Sequence, residues 1–103
     1  MDQSYTRQAA DLLWRMRLEQ RRIETLPDHL RPHSLAEGYA IQDGMVDAVA
    51  QPVLGWKIAA TSKAGQEHIG VTEPLAGRLF EDFVLRDGAH ISVASLHMKV
   101  MEA

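Results

Sequence analysis

The hydrophobic period of this chain changes at Pro52, and that change limits the folds open to it. Before Pro52, two segments carry apolar residues at helical spacing. After it, Val53-Leu54-Gly55-Trp56-Lys57-Ile58 is a short apolar run with β-branched and aromatic side chains, which predicts a strand. Helix, helix, then strand is the order of an α+β domain, and 103 residues leave room for one domain at most, residues 1–103.

The first helix is expected from a cap at Ser4 to about Thr25. Ala9, Leu13, Met16, Gln20 and Ile23 follow the 3.6 period, and Leu12 and Trp14 widen the stripe. Pro27 ends it, and Pro32 stiffens the loop that follows. Ser34-Leu35-Ala36-Glu37 reads as a capping box opening a second helix to about Ala50. Its apolar face carries Leu35, Tyr39, Val46 and Val49, with Ile41, Met45 and Ala48 beside it. Two amphipathic helices joined by a short loop predict an antiparallel pair.

Beyond the strand, Ser62 is positioned to cap a short helix, Lys63 to Ile69, that Gly70 stops. Pro74 and Gly77 read as an irregular connection. Phe83 to Leu85 and Ala89 to Val93 read as strand pieces around an Asp87-Gly88 turn. Met98 to Glu102 is apolar enough to begin another strand. A strand beginning there needs a ladder partner, so a second chain or further protein is expected to pair with it.

Composition excludes more than it assigns. Hydrophobic residues at 46% and charged residues at 24% match ordinary soluble usage and argue against disorder. No apolar run approaches the ~20 residues that cross a bilayer, and the N-terminus lacks the apolar core of a signal peptide. With no cysteine there are no disulfides or thiolate metal sites, which fits a cytoplasmic protein. A net charge of -3 argues against nucleic acid, and Arg15, Arg17, Arg21 and Arg22, interleaved with Glu19 and Glu24, read as a solvated helix face.

Few residues carry chemistry. Lys57 sits inside an apolar strand. Burial there would depress its pKa and suit acid–base work or the grip of a carboxylate, whereas strand alternation would send it to solvent while Trp56 and Ile58 face the core. Glu81 and Asp82 are adjacent carboxylates, but neighbours on an extended chain point apart, so at most one reaches a site. His29, His33, His68, His90 and His97 form no ligand set. Gly55, Gly70 and Gly77 are too far apart for a phosphate cradle.

Taken in order, Tyr39-Ala40-Ile41-Gln42, Gly55-Trp56-Lys57-Ile58, Thr61-Ser62, Gln66, Ile69-Gly70-Val71, Glu73-Pro74, Gly77 and Leu79 resemble the N-terminal region of 2-keto-4-pentenoate hydratases, in the fumarylacetoacetate hydrolase superfamily. The resemblance implies that the chain is the N-terminal, mainly helical part of a larger β-rich fold that is truncated here. It also implies a divalent ion, Mg2+ or Mn2+, chelated by a 2-hydroxydienoate or 2-oxo acid and held by protein carboxylates. Glu102 matches the first glutamate of the family's Glu-x-Glu metal pair, whose second member would fall one residue beyond Ala103. Lys57 matches the active-site lysine, Ile69 a pocket-lining position, and Asp82 a frequent acidic position.

Two departures stand out: Ala59 replaces the glycine of the commoner Lys-Ile-Gly, and Leu75 stands after Pro74 where several hydratases carry an aspartate. The second leaves a related decarboxylase or C–C hydrolase open as the activity. The expectation is a homo-oligomeric hydratase-like lyase of aromatic catabolism, inactive as this chain alone, with a non-catalytic binding or assembly module as the alternative of another class.

Overall fold

The computed structural model describes residues 1–102 and is an α+β protein. Its elements are helix α1 (Gln3–Leu18), helix α2 (Leu35–Val49), strand β1 (Val53–Ala59), helix α3 (Lys63–Ile69) and strand β2 (Leu75–Phe80), with short 3-10 turns at Asp28–Leu30, Glu81–Phe83 and Val93–Ser95. The chain forms two compact units. One is helical, Met1–Ala50 with the stretch from Arg86 on, and the other is Gln51–Leu85.

In the helical unit, the core is Ala9, Ala10, Leu30 and Ile41, with Leu12, Leu13, Leu26 and Met45 packed against it. Ala9 and Ala10 are fully buried, and a Cβ placed on Gly44 of α2 would stand 3.3 Å from the Ala10 Cβ. Small residues on both helices therefore let their backbones approach closely. Burial in α2 centres on Ile41, Met45 and Val49, one stripe at i, i+4, i+8. Leu35, expected on that face, is 40% exposed.

The α1 boundaries differ from expectation at both ends. Asp2 caps it, its carboxylate accepting from the Ser4 amide at 2.6 Å. It ends at Leu18 because Gln20 adopts φ 54°, the left-handed conformation. The Arg21 amide then donates to the Met16 carbonyl at 2.9 Å and the Gln20 amide to the Arg17 carbonyl at 3.2 Å, the paired bonds of a Schellman cap. Ile23 is consequently outside the helix and 39% exposed. The connection to α2 is longer than the short loop expected, and the helices start side by side. The Met1 ammonium reaches Glu37 Oε1 at 3.3 Å in the first turn of α2, and Gly44 lies beside Thr6 and Ala10. That order of contacts is not the expected antiparallel pairing, because a long connection lets the chain return to the starting end before α2 begins.

At the α2 start, the Ser34 hydroxyl accepts from the Glu37 amide at 3.1 Å. The Glu37 carboxylate accepts from the His33 amide at 2.8 Å, one residue earlier than a capping box requires. That bond first, and the Met1 ammonium second, hold the Glu37 pKa below the ordinary carboxylate value.

The Gln51–Leu85 unit is a hairpin whose connection contains α3. Strands β1 and β2 pair antiparallel with Trp56 opposite Arg78, Lys57 opposite Gly77, Ile58 opposite Ala76 and Ala59 opposite Leu75; a bulge lies between Val53 and Gly55. Pro74 and Gly77 thus flank and occupy a strand, where the sequence predicted an irregular connection. A proline just before the first ladder residue costs no ladder bond, and a glycine weakens a strand without forbidding it. α3 spans the residues expected of it, with the Ser62 hydroxyl accepting from the Gly65 amide at 3.0 Å and Gly70 at φ 75°.

The Asp87-Gly88 turn forms, with Gly88 at φ 81° and the Ala89 amide donating to the Arg86 carbonyl at 3.0 Å. The strands expected beside it do not, and none spans 98–102. A strand exists only where a neighbour completes its ladder, and among the described residues those segments have no ladder neighbour.

Candidate functional site

Lys57 occupies the middle of the β1–β2 ladder, and alternation places its side chain on one face of the sheet. The residues that share that face are Gly55 and Ala59 on its own strand, and Leu75, Gly77 and Leu79 on β2. The opposite face carries Trp56, Ile58, Ala76 and Arg78, with the Arg78 guanidinium 4.8 Å from the Trp56 ring centroid. Lys57 is exposed, as the alternation argument had it. The other half of that argument does not hold: Trp56 is 53% and Ile58 52% exposed, so neither face of this two-stranded sheet is a core. The burial that would favour proton transfer by Lys57 is absent. An exposed ammonium is chemically suited to donate to an anionic oxygen.

The glycines around Lys57 are not alike. A Cβ on Gly55 would meet Leu79 Cδ1 at 3.8 Å, so that position is covered by its cross-strand neighbour. A Cβ on Gly77, directly opposite Lys57, would meet nothing within 4 Å among the described residues.

Asp82 lies in the 3-10 turn after β2, where it fastens the mouth of the hairpin. Its carboxylate accepts from Gln51 Nε2 at 2.9 Å, and its amide donates to Gln51 Oε1 at 3.0 Å. The Glu81 amide adds a bond to the Pro52 carbonyl at 3.1 Å. Gln51 precedes Lys57 by six positions, roughly 20 Å of extended backbone at ~3.3 Å per residue. Asp82, at the open end of the hairpin, is thus separated along the ladder from Lys57 near its middle. Ile69 is the last residue of α3 and is 49% exposed; the start of that helix is tied to the end of β1 by a 3.0 Å bond from Gln66 Nε2 to the Ala60 carbonyl. Glu102 is exposed and lies in no strand or helix.

Among the described residues, no three His, Cys, Asp or Glu side chains gather as a metal site requires. No described helix is long and apolar enough to cross a membrane. The two departures noted in the sequence, Ala59 and Leu75, are cross-strand partners at the α3 end of the ladder. Together they form an apolar cross-strand pair. Gln51, Arg78 and the pairing of Gly77 with Lys57 were not foreseen, because each depends on the register of a strand that the sequence did not predict.

No family model matches the chain, and no solved structure does. Two curated proteins are similar to it, 2-keto-4-pentenoate hydratase of Paraburkholderia xenovorans (strain LB400) and 2-keto-4-pentenoate hydratase 3 of Pseudomonas putida. Each is 31% identical over 99 residues, which cover 93% of this chain and 37% of the relative. The chain is a relative of the 2-keto-4-pentenoate hydratases, matching them over nearly all of its own length and 37% of theirs.

Proposed function

We propose that this chain corresponds to the N-terminal part of a hydratase-like lyase and supplies the lysine that holds a small 2-hydroxydienoate or 2-oxo acid. The observation that carries the reading is the 31% identity over 93% of the chain, and it is supported by Lys57 standing exposed at the centre of the ladder. Adding water to a 2-hydroxydienoate to give a 4-hydroxy-2-oxo acid requires the carboxylate end to be gripped while negative charge develops on the 2-oxygen. An ammonium beside both groups stabilises that charge. Lys57 takes this role, and Ile69 lines the pocket. Asp82, engaged by Gln51, acts on the hairpin first and on substrate only if that bond is released.

Mg2+ or Mn2+ belongs to the same reading, as the Lewis acid that polarises the 2-oxygen when bound. The described residues do not fit such an ion by themselves, because Glu102 is one carboxylate and a hard divalent cation takes six or more oxygen ligands, some of them water. No step is therefore assigned through the metal, and the remaining ligands are expected from outside residues 1–103. The isolated chain is accordingly expected to turn over no substrate. The same reading expects a cytoplasmic homo-oligomer with no nucleic-acid or membrane partner.

The test is a chimera in which this chain replaces the matched segment of the Pseudomonas putida relative, assayed with 2-hydroxypenta-2,4-dienoate. Hydration by the chimera and none by the chain alone supports the reading. Hydration by the chain alone removes the claim that it is incomplete, and a folded chimera without activity removes the claim of a shared reaction. Decarboxylation or C–C cleavage by the chimera would select the related activities that Leu75 leaves open.

A second reading, a non-catalytic binding or assembly module, is favoured by the exposed Leu54, Trp56 and Ile58 of β1. It predicts stable association of the chain with itself or a protein partner, lost on Trp56→Ala, with no effect of Lys57 substitution.

A further inference from the structure

Gly77 has no backbone reason to be glycine. Its φ lies outside the left-handed region that Gly70 and Gly88 occupy, so any residue could adopt its conformation. Nor is there a steric reason, since nothing described stands within 4 Å of its missing Cβ. A glycine in a strand interior is unfavourable on both entropy and packing, and commonly marks where something outside the strand comes close. Its surroundings indicate what that is. Directly across the ladder is the exposed Lys57, and two positions away on either side, on the same face, are Leu75 and Leu79. Leu79 leans over Gly55, leaving the Gly77 position open. The result is a gap in that face of the sheet, across the ladder from Lys57 and with a leucine two positions away on either side.

We propose that Gly77 is a specificity-determining position: its missing side chain keeps open a gap across from Lys57 that admits a short-chain 2-oxo acid. The carboxylate meets the Lys57 ammonium, the planar oxo-acid group lies over the bare Gly77 backbone, and the short apolar tail meets Leu75 or Leu79. A β-branched residue at position 77 would occupy the space the ligand needs. This inference rests on Lys57 being the group that holds substrate, so the experiment separates the two.

The 103-residue chain is titrated with 2-oxopentanoate, with backbone amide shifts of Lys57 and Gly77 as the readout, for the native protein and for Gly77→Ala, Gly77→Val and Lys57→Met. Thermal unfolding of each is recorded in parallel. The expected result is saturable shifts at both positions in the native chain, loss of binding in Lys57→Met, and graded weakening from Ala to Val that reaches about tenfold. Gly77→Val is expected to unfold at the native temperature or above, since valine favours strands. Unchanged binding by Gly77→Val, with Lys57→Met abolishing it, overturns the role of Gly77 and leaves the lysine reading standing. Absence of Lys57-dependent shifts in the native chain overturns the lysine reading and this inference with it. If Gly77→Ala and Gly77→Val both unfold at lower temperature, the glycine is a requirement of the hairpin and the inference fails.

Discussion

The two units use their apolar residues in opposite ways. The helical unit buries Ala9, Ala10, Leu30, Ile41 and Val49, and its side chains find one another across small contact residues. In the hairpin unit Phe80 alone among the described residues is buried, while Leu54, Trp56, Ile58 and Ile69 are each about half exposed. The physical cause is the number of layers. Two amphipathic helices cover each other's single stripe, whereas a two-stranded sheet has two faces and nothing in its own two strands to cover either. Stability therefore sits in one unit and surface available for contact in the other, and Lys57 is on the second.

Core truncation should separate the units most clearly. Ile41→Ala removes a buried side chain and is expected to destabilise the protein by about 2–4 kcal/mol in urea unfolding. Trp56→Ala, although it removes more atoms, is expected to cost about 1 kcal/mol or less, because its ring is 53% exposed and what it loses is mainly the Arg78 contact. Equal losses for the two would mean that the hairpin has a core of its own and would break the comparison.

Helix ends give the next largest effects. Ser34→Ala and Ser62→Ala each remove an N-cap acceptor, with an expected cost of about 1 kcal/mol. Far-ultraviolet circular dichroism during denaturation should register the first more strongly, since α2 is the longer helix. Gln20→Gly should raise the unfolding temperature, and Gly70→Ala should lower it, each by an amount equivalent to about 1 kcal/mol. Both positions are left-handed, and the wild-type residue suits that conformation at Gly70 alone.

The smallest expected effect is a pH dependence. The Glu37 pKa is lowered in the folded state, so its contribution is present above the unfolded carboxylate pKa and is lost as pH falls through the folded value. Glu37→Gln should reduce the acid sensitivity of the helical unit in the range below the ordinary carboxylate pKa. Urea midpoints compared at neutral and acidic pH measure it, and an unchanged acid slope in the variant would remove Glu37 from the account.

What was legible in the sequence followed local chemistry. The α3 helix was readable to the residue because Ser62 and Gly70 are residues whose side-chain chemistry matches a cap and a left-handed stop. The end of α1 carries the same pair of closing hydrogen bonds as Gly70 makes in α3, yet Gln20 carries no signal, and a longer helix was expected there. β2 was missed because Pro74 and Gly77 are breakers by propensity, and only the cross-strand neighbours in β1 override them. The strands expected at 83–85 and 89–93 fail for the converse reason, since apolar composition supplies no ladder partner. For the site, the position of Lys57 on a strand was readable, but its exposure reflects a sheet open on both faces and not alternation alone. The clearing at Gly77 and the engagement of Asp82 by Gln51 could not be read, because both are properties of pairing between distant segments.

The central claim is that the hairpin presents Lys57 to substrate while the helical unit holds the fold. The most direct measurement is the hydration rate of the chimera with the Pseudomonas putida relative, compared with the same chimera carrying Lys57→Met, with unfolding temperatures recorded for both. The expected result is a loss of about a hundredfold or more in turnover at an unchanged unfolding temperature. Turnover within about twofold of the parent chimera, a difference of less than 0.5 kcal/mol or so, would contradict the assignment of Lys57 and with it the division of roles between the two units.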